Sequence, residues 1–356
     1  MSKCSTEERF IGADFHKETT VVTRLRADGS RVGKTEYFPS TKEGLARLCA
    51  TCGPRDHVAV EATYHWALFA DAFDDFEGEL VLAHPLKNRL IAESRNKNDK
   101  VDSKVLADLL RTNFLARAWI APKEVREARE LLRYRASLVR IQTSLKNRVR
   151  VLLAKAGLRV EATDLFSAKG LRELGALELG KTRTLILHNA LGVAERLRAQ
   201  LAETEAEIGR RVETNAQAQL VDSIKGIGPL GALTIVSEIG DIQRFARAGK
   251  LVSYAGLAPT TRASAGIVRH GGITKQGSPW LRWILVEAVQ HAMNTYPSLA
   301  KLHARVSANQ GNRKNAGRVA VARQLLVSIY HMLKRNEPFR AERIGKAVAH
   351  AQNQVQ

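Results

Sequence analysis

The first 120 residues alternate short apolar segments with helical segments in an order that restricts the fold. Three predicted strands come first, and Asp28-Gly29 is a typical hairpin turn between the second and the third. A short helix, an apolar strand over 57–62, a second helix and a strand over 79–84 follow. This order, β-β-β-α-β-α-β, indicates a ribonuclease-H-like domain, because a doubly wound domain does not normally begin with three consecutive strands.

The remainder of the chain has the pattern of helices. Apolar residues recur at helical spacing over 122–156 and again over 185–212, which predicts two long amphipathic helices. Such helices could form a hairpin or coiled coil that serves as a dimerisation arm, or could belong to an ordinary bundle in a monomer. From Leu220 onward the chain is again mostly helical, with a glycine-rich interruption over 256–277.

Positive charge is concentrated in two parts of the chain. The 356 residues carry a formal net charge of +20, yet residues 1–120 are neutral, residues 121–160 carry +8 and residues 221–356 carry +13. Two basic blocks are typical of proteins that bind nucleic acid. Because we find no membrane-length apolar run, no secretory pattern and only three cysteines, we expect a protein of a reducing cytoplasm.

Four acidic residues occur where an acid is costly unless it has a partner. Asp14 interrupts the apolar first strand, and Glu61 ends the apolar strand over 57–62. Asp99 and Asp102 lie three residues apart, and therefore on one face at the start of a predicted helix. Oxygen ligands on two strands and a helix suit the divalent ions of two-metal phosphoryl-transfer chemistry. Taken singly, these acids could instead be helix caps, partners of the helix dipole or partners of an arginine.

Two histidines and two cysteines lie near these elements. His16 and His65 are close in sequence to the acids and could support them, although we expect surface exposure or core packing. Cys49 and Cys52 have C-x-x-C spacing without a second pair, so we expect neither a zinc site nor redox chemistry.

Two segments of the C-terminal half predict contacts with phosphates. Gly226 and Gly228 form a turn before a helix that looks like a helix-hairpin-helix, although a tight connection that binds nothing has the same pattern. The glycine-rich stretch mixes serines with basic residues, and its composition does not choose a nucleophile among Ser253, Ser264 and Ser278. Besides the two glycines, the residues predicted to bind nucleic acid are Arg262, Arg269, Lys275, Arg282, Arg313 and Lys314.

Six motifs, taken in order, resemble those of one family. They are GADFHK, VEATYHW, NKNDKVDSKVLADLL, KGIGPLGA, YAGLAPTTRAS and GGITKQGSPWLRW. With them, the chain resembles the DEDD transposases of bacterial insertion sequences, the family numbered one hundred and ten with its eleven-eleven subgroup. That family is related to the Piv DNA invertases, and some members are bridge-RNA-guided serine recombinases.

The resemblance implies an α/β plus α architecture in three domains and a tail. A RuvC-like domain is followed by a helical coiled-coil arm and by a mostly helical transposase domain with a helix-hairpin-helix-like motif. The expected ranges are 1–121 for the RuvC-like domain, 122–215 for the coiled-coil and dimerisation region, 216–342 for the transposase domain and 343–356 for the tail.

The resemblance also implies a chemistry. The catalytic and metal-binding tetrad would be Asp14, Glu61, Asp99 and Asp102, holding Mg²⁺ or Mn²⁺. Ser264 would be the nucleophile that forms a serine–DNA phosphoester, although the common Ser-Gly of relatives is Ser264-Ala265 here. The implied partners are donor and target DNA, a structured noncoding guide RNA and further copies of the chain in a dimer or tetramer. No membrane is implied, and the place of action would be the nucleoid-associated bacterial cytoplasm.

Two other functions remain open. A RuvC-like endonuclease of DNA junctions would hydrolyse DNA with the tetrad alone and would keep its activity without Ser264. A catalytically dead nucleic-acid-binding protein would keep the charge and lose the chemistry, but the four acids are intact.

Overall fold

The computed structural model of the chain describes residues 7–91, 99–159, 161, 164–264, 267–309 and 314–340. The chain divides into two compact units, Met1–Ala121 and Pro122–Gln356. The first is built on a mixed sheet and the second is mostly helical.

The N-terminal unit contains a six-stranded sheet with helices before and between its later strands. The strands are β1 (Arg9–Phe15), β2 (Thr19–Arg26), β3 (Glu36–Pro39), β4 (Asp56–Glu61), β5 (Glu79–Ala83) and β6 (Arg117–Ala118). Its helices are α1 (Lys42–Ala50), α2 (Trp66–Ala72), α3 (Pro85–Ile91) and α4 (Asp99–Arg111). The spatial order is β3-β2-β1-β4-β5-β6, in which β1, β4 and β5 are parallel and the other three strands run antiparallel to their neighbours.

The predicted order of strands and helices in this unit is confirmed, and its third strand is shorter than expected. The prediction ran from residue 30 to 38, whereas β3 begins at Glu36. Gly29 and Gly33 both have positive φ angles, and Ser30 N donates to Asp28 Oδ1 across 2.8 Å. The chain pairs with β2 through a single bridge between Leu25 and Arg31 and then bends at Gly33, so the pairing that the alternation suggested resumes only at Glu36.

Helix α4 packs closely on the face of the sheet opposite α1 and α2. Leu106 and Leu110 of α4 join Ala59 and Val81 in one apolar cluster. A Cβ atom added to Gly12 of β1 would lie 1.9 Å from the carbonyl oxygen of Ser103, so the glycine allows the helix and the strand to touch. This contact brings the first turn of α4 to the carboxyl end of β1, where the acidic residues lie.

The second unit contains nine helices among its described residues and one β-hairpin. The helices are α5 (Lys123–Lys155), α6 (Ala168–Gly175), α7 (Lys181–Glu213), α8 (Ala216–Asp222), α9 (Gly228–Ile239), α10 (Ala248–Tyr254), α11 (Pro279–Thr295), α12 (Pro297–Asn309) and α13 (Lys314–Arg335). The hairpin strands are β7 (Pro259–Ser264) and β8 (Ile267–Ile273).

The two long helices, α5 and α7, each have 33 residues and lie antiparallel to each other. Leu132 of α5 and Ile208 of α7 contribute to the large core around α9. Val149 and Leu187, at the other ends of the same helices, belong to a smaller core with α6. Helices of this length span about 50 Å, so one end of the pair is anchored in the main core and the other carries a core of its own.

The hairpin of β7 and β8 was not predicted and corrects the view of the glycine-rich stretch as a simple interruption. The strands pair in antiparallel register from Pro259–Ile273 to Ser264–Ile267, with an irregularity after Pro259. Gly256 and Gly277 flank the hairpin, and both have positive φ angles. The glycines thus mark its base, where the chain leaves and rejoins the helices.

Among the described helices, none is both long enough and apolar enough to cross a membrane.

Candidate active site

Asp14 lies buried at the carboxyl end of the central strand. The parallel strands β1, β4 and β5 end at the same edge of the sheet, and Asp14 is the last residue but one of β1. It is 8% exposed. A carboxylate in such a position needs a cation or hydrogen-bond donors, because burial disfavours its charged form.

His16 links Asp14 to the first residue of α4. Its Nε2 lies 2.9 Å from Asp14 Oδ2 and 3.5 Å from Asp99 Oδ1. The backbone oxygen of His16 in turn accepts a hydrogen bond from His65 Nε2 at 3.2 Å. His16 is exposed, as expected, and its contacts fit the supporting role that the sequence also allowed. The D-x-H spacing at the end of a strand was the sequence signal, because residues two apart share a face of the sheet.

The electrostatic state of Asp14 reflects this crowding. Burial raises the pKa of Asp14 to about 6, His16 opposes the rise, and the carboxylates of Asp102 and Asp99 add to it. Asp14, Asp99 and Asp102 therefore lie close enough for their charges to act on one another, as expected of acids that share a cation.

Glu61 occupies the neighbouring strand end. The parallel register of β1 and β4 runs to the pair Ala13–Val60, so Glu61 follows at the position beside Asp14. Its side chain is half-buried. Among the described residues, the compact donor group is Asp14, His16 and Asp99, and Glu61 and Asp102 stand outside that group.

The residues present fit a divalent cation. One ligand atom from each of Asp14, His16 and Asp99 lies within 4.8 Å of the others. Two carboxylates and an imidazole are a common donor set for divalent metals, and a cation would remove the cost of ionising Asp14. The group therefore has the ligand types that a divalent metal needs.

The expected nucleophile lies in the second unit, on the hairpin. Ser264 ends β7 and pairs with Ile267, so it stands at the tip of the hairpin, and Ala265 falls outside the described residues. Arg262 and Arg269 are paired with each other across the same strands.

The other two candidate serines have structural partners. Ser253 Oγ donates to the carbonyl oxygen of Gly249 at 3.0 Å, inside α10. Ser278 Oγ donates to Glu238 Oε2 at 2.7 Å and accepts from the amide of Leu281 at 3.1 Å, which caps α11. These contacts account for both hydroxyls.

Glu238 is a residue that sequence reasoning missed. It is 4% exposed. Besides the hydrogen bond from Ser278, its Oε1 accepts a hydrogen bond from Arg133 Nη2 at 2.6 Å. The guanidinium of Arg133 also lies 5.2 Å from the ring of Trp280. An acid inside the apolar sequence of α9 was the available signal. Its contacts tie α5 to the start of α11, just beyond the hairpin that carries Ser264.

The remaining predicted nucleic-acid residues are distributed around the second unit. Lys275 is exposed and has a positive φ angle, and Arg282 Nη1 donates to the carbonyl oxygen of Ala255 at 2.9 Å. Lys314 is exposed at the start of α13, and Arg313 lies outside the described residues.

Gly226 and Gly228 form the turn between α8 and α9. Both have positive φ angles, and Gly228 is the first residue of α9. A Cβ atom on Gly226 would lie 2.7 Å from Cβ of His291, so the turn also packs tightly on α11. Both the phosphate-binding turn and the tight connection considered from the sequence are compatible with this geometry.

Two family models match consecutive parts of the chain. A model described as a transposase, of the DEDD type of IS110, matches residues 11–157. A model described as the transposase IS116/IS110/IS902 family matches residues 218–304. The first match includes all four acids, and the second includes Ser264.

Individual proteins are similar over different shares of the chain. The transposase for insertion sequence element IS1111A of Coxiella burnetii is 28% identical over 265 residues, which are 69% of this chain and 69% of that protein. The uncharacterized 44.8 kDa protein of insertion element IS116 from Streptomyces clavuligerus is 25% identical over 342 residues, covering 80% and 84%. The pilin gene-inverting protein of Moraxella bovis is 34% identical over 129 residues, covering 36% and 40%.

Proposed function

The chain is a transposase of the IS110/IS116/IS902 family, a DNA-cleaving and rejoining enzyme, and we propose that it moves its insertion sequence through a phosphoester between Ser264 and DNA. The observation that carries the proposal is the acidic group at the end of β1, together with a serine at the tip of a hairpin. Serine recombinase is the wrong class name for the chain, because the matching model is that of a DEDD transposase. The serine chemistry itself stays a proposal.

The acidic group would hold the metal. A DEDD fold suggests a divalent cation, and we propose Mg²⁺ or Mn²⁺, held by Asp14 and Asp99 with Glu61 and Asp102 completing the tetrad. When bound, the metal would stabilise the charge that develops on the scissile phosphate. His16 would hold the carboxylates of Asp14 and Asp99 in place through the contacts described above.

Ser264 would perform the covalent step. Its oxygen attacks phosphorus and loses its proton, the bond from phosphorus to the 3′ oxygen breaks, and that oxygen gains a proton. The products are a phosphoserine-linked 5′ end and a free 3′ hydroxyl. Because the phosphoester bond energy is retained, the ends can be rejoined to a new partner without ATP. Structural partners account for the hydroxyls of Ser253 and Ser278, which supports the choice of Ser264.

We propose that the enzyme acts as a dimer or tetramer. The long pair of α5 and α7 would be the coiled-coil dimerisation arm, with the transposase domain beginning near residue 216. The pair carries apolar side chains that are half or more exposed in one chain, as an interface between copies would need. These residues are Ile141, Val151, Leu185 and Ile186.

The basic blocks would bind donor DNA, target DNA and a structured guide RNA. Lys275 and Lys314 are exposed, as phosphate contacts require, and Gly226 and Gly228 would offer backbone amides at the start of α9. The guide RNA would choose the sequence by base pairing while the protein reads shape. The enzyme would then work on the chromosome, in the nucleoid.

The alternative is a junction endonuclease that hydrolyses DNA with the tetrad alone. The two functions differ in what happens to the 5′ phosphate. We expect wild-type protein, supplied with Mg²⁺, labelled junction DNA and the noncoding RNA of the element, to give a labelled protein band on a denaturing gel. Ser264→Ala and Asp14→Ala should both lack the band, because one lacks the nucleophile and the other a metal ligand. Cleavage that persists in Ser264→Ala without any adduct would favour the hydrolase and overturn the proposal.

A further inference from the structure

Tyr64 is the most exposed aromatic side chain among the large apolar residues that the structure describes. It is 83% exposed, although it lies only three residues after Glu61. An exposed phenol ring offers a flat apolar face on which another ring can stack. Because Tyr64 follows Glu61 so closely, a partner of this ring would be met at the same edge of the sheet as the acids.

A series of ring contacts connects Tyr64 with the core. The ring of His65 lies 4.3 Å from the ring of Tyr64 and 4.2 Å from the ring of Phe15, which is 1% exposed. Phe15 packs in turn on Phe69 in the core, with centroids 5.5 Å apart. These tilted and edge-on contacts run from the core to the surface, where Tyr64 presents an aromatic face to which another flat ring could bind.

The same ring contacts are connected to the acidic group. His65 Nε2 donates to the backbone oxygen of His16, whose side chain contacts both Asp14 and Asp99. Tyr64 is thus two residue contacts away from the donor atoms that would hold a metal. The nucleotides next to a phosphate bound at these atoms are therefore the candidates for contact with Tyr64.

The charges of the protein itself do not hold a strand at this place. Residues 1–120 carry no net charge, and the acids themselves repel phosphates. Stacking of a base on an aromatic ring supplies affinity without charge and tolerates any base, because every base has a π face. A stacked base must first leave its neighbours in the strand, as in single-stranded or locally opened DNA.

We propose that Tyr64 is a stacking platform for an unpaired nucleobase next to the scissile phosphate. The inference rests on the proposed role of the acidic group in cutting DNA and does not depend on Ser264. In this role the ring keeps the base unpaired and holds the strand in place while the neighbouring phosphate lies at the acids.

The test measures binding of single-stranded DNA from the end of the element, with Ca²⁺ in place of Mg²⁺ so that cleavage does not interfere. Full-length wild type is compared with Tyr64→Ala, Tyr64→Phe and Tyr37→Ala. Tyr37 is a matched control, because it is also an exposed tyrosine of the same unit, at 54% exposure on β3. We expect Tyr64→Ala to bind about tenfold more weakly or worse, and the other two variants to bind like wild type.

A second set of oligonucleotides locates the stacked base. One abasic residue replaces each nucleotide in turn, and the cleaved phosphate is mapped with wild type in Mg²⁺, whichever product forms. We expect wild type and Tyr64→Ala to bind equally well when the abasic residue is next to the cleaved phosphate. Equal binding of wild type and Tyr64→Ala to intact DNA would overturn the platform. So would a weaker binding of Tyr64→Ala that persists on every oligonucleotide, whichever nucleotide is abasic.

The two proposals fail in different experiments. The denaturing gel tests whether a protein–DNA adduct forms. The platform is tested by the ratio of the affinities of wild type and Tyr64→Ala for single-stranded DNA. The affinities can also be measured in the Ser264→Ala background, where the platform predicts the same tenfold ratio.

Discussion

At the residue scale, a proton and a divalent cation compete for Asp14. Its pKa is raised to about 6 by burial, so below that value the carboxyl is largely protonated in the metal-free fold. Metal binding needs the carboxylate, so we expect the affinity for Mn²⁺ to rise by about tenfold per pH unit up to about pH 6 and then to level off. Calorimetric titration of the full-length protein between about pH 5 and pH 8 measures this dependence.

The same shift has a consequence for stability in the absence of metal. Because the folded-state pKa is raised, the fold gains stability from the protonated carboxyl at low pH and loses it as the pH rises through about 6. Asp14→Asn should abolish both the decrease in stability as the pH rises through about 6 and the binding of Mn²⁺. Asp28→Asn makes the same change of charge on an exposed turn and should leave the Mn²⁺ titration unchanged. An unchanged Mn²⁺ titration in Asp14→Asn would contradict the site.

The residues of the site differed in how readily they could be identified from the sequence. Asp14, Asp99 and Asp102 were recognisable because an acid in an apolar strand, or two acids at helical spacing, needs an explanation. His16 was considered only because it is close in sequence to the acids, and Glu238 was not recognised, although it interrupts an apolar helix. Their roles depend on partners that the fold brings from far along the chain: Asp99 for His16 and Arg133 for Glu238.

At the element scale, the position of α4 depends on the absence of a side chain at Gly12. A Cβ atom there would lie 1.9 Å from the backbone oxygen of Ser103 and 2.6 Å from the backbone nitrogen of Ala107. Backbone atoms of a helix cannot yield without moving the helix, which carries Asp99 and Asp102. We therefore expect Gly12→Ala to lower the free energy of unfolding by about 1–3 kcal/mol or more and to weaken Mn²⁺ binding.

Urea unfolding and Mn²⁺ titration of Gly12→Ala give the two measurements. Gly53→Ala is the matched control in the same unit, because the nearest atom to its added Cβ would be Asp56 Oδ2 at 4.0 Å. The control should unfold and bind like wild type. If Gly12→Ala matched it in both measurements, the close packing of α4 on β1 would not be what positions the acids.

Elements with regular periodicity were predictable, and those defined by backbone turns were not. The helix predicted over 122–156 is α5, Lys123–Lys155, because apolar residues mark its buried face over many turns. The pairing of β7 with β8 was missed because Gly271 and Gly272 interrupt the alternation that identifies a strand. A hairpin is specified by contacts between two segments, and a pattern within one segment does not contain that information.

At the scale of the whole molecule, the charge distribution determines how nucleic acid binding responds to salt. Residues 1–120 are neutral, and the +20 net charge comes from the basic blocks. Each phosphate contact that releases a counterion lowers the slope of log affinity against log salt by about 0.9 for duplex DNA. Binding should therefore fall steeply with salt, and the steepness should depend on particular residues of the basic blocks.

Two exposed basic residues of α5 provide the last test. Arg148 and Lys155 lie seven residues apart, two turns along the helix, and both are exposed. We expect the double variant Arg148→Gln/Lys155→Gln to make the slope shallower by about 2, measured by fluorescence anisotropy with duplex DNA over a series of salt concentrations. Arg196→Gln/Arg198→Gln removes the same charge from exposed positions of α7, in a segment that is not basic overall. Equal changes in both double variants would mean that net charge, and not the basic face of α5, holds the DNA.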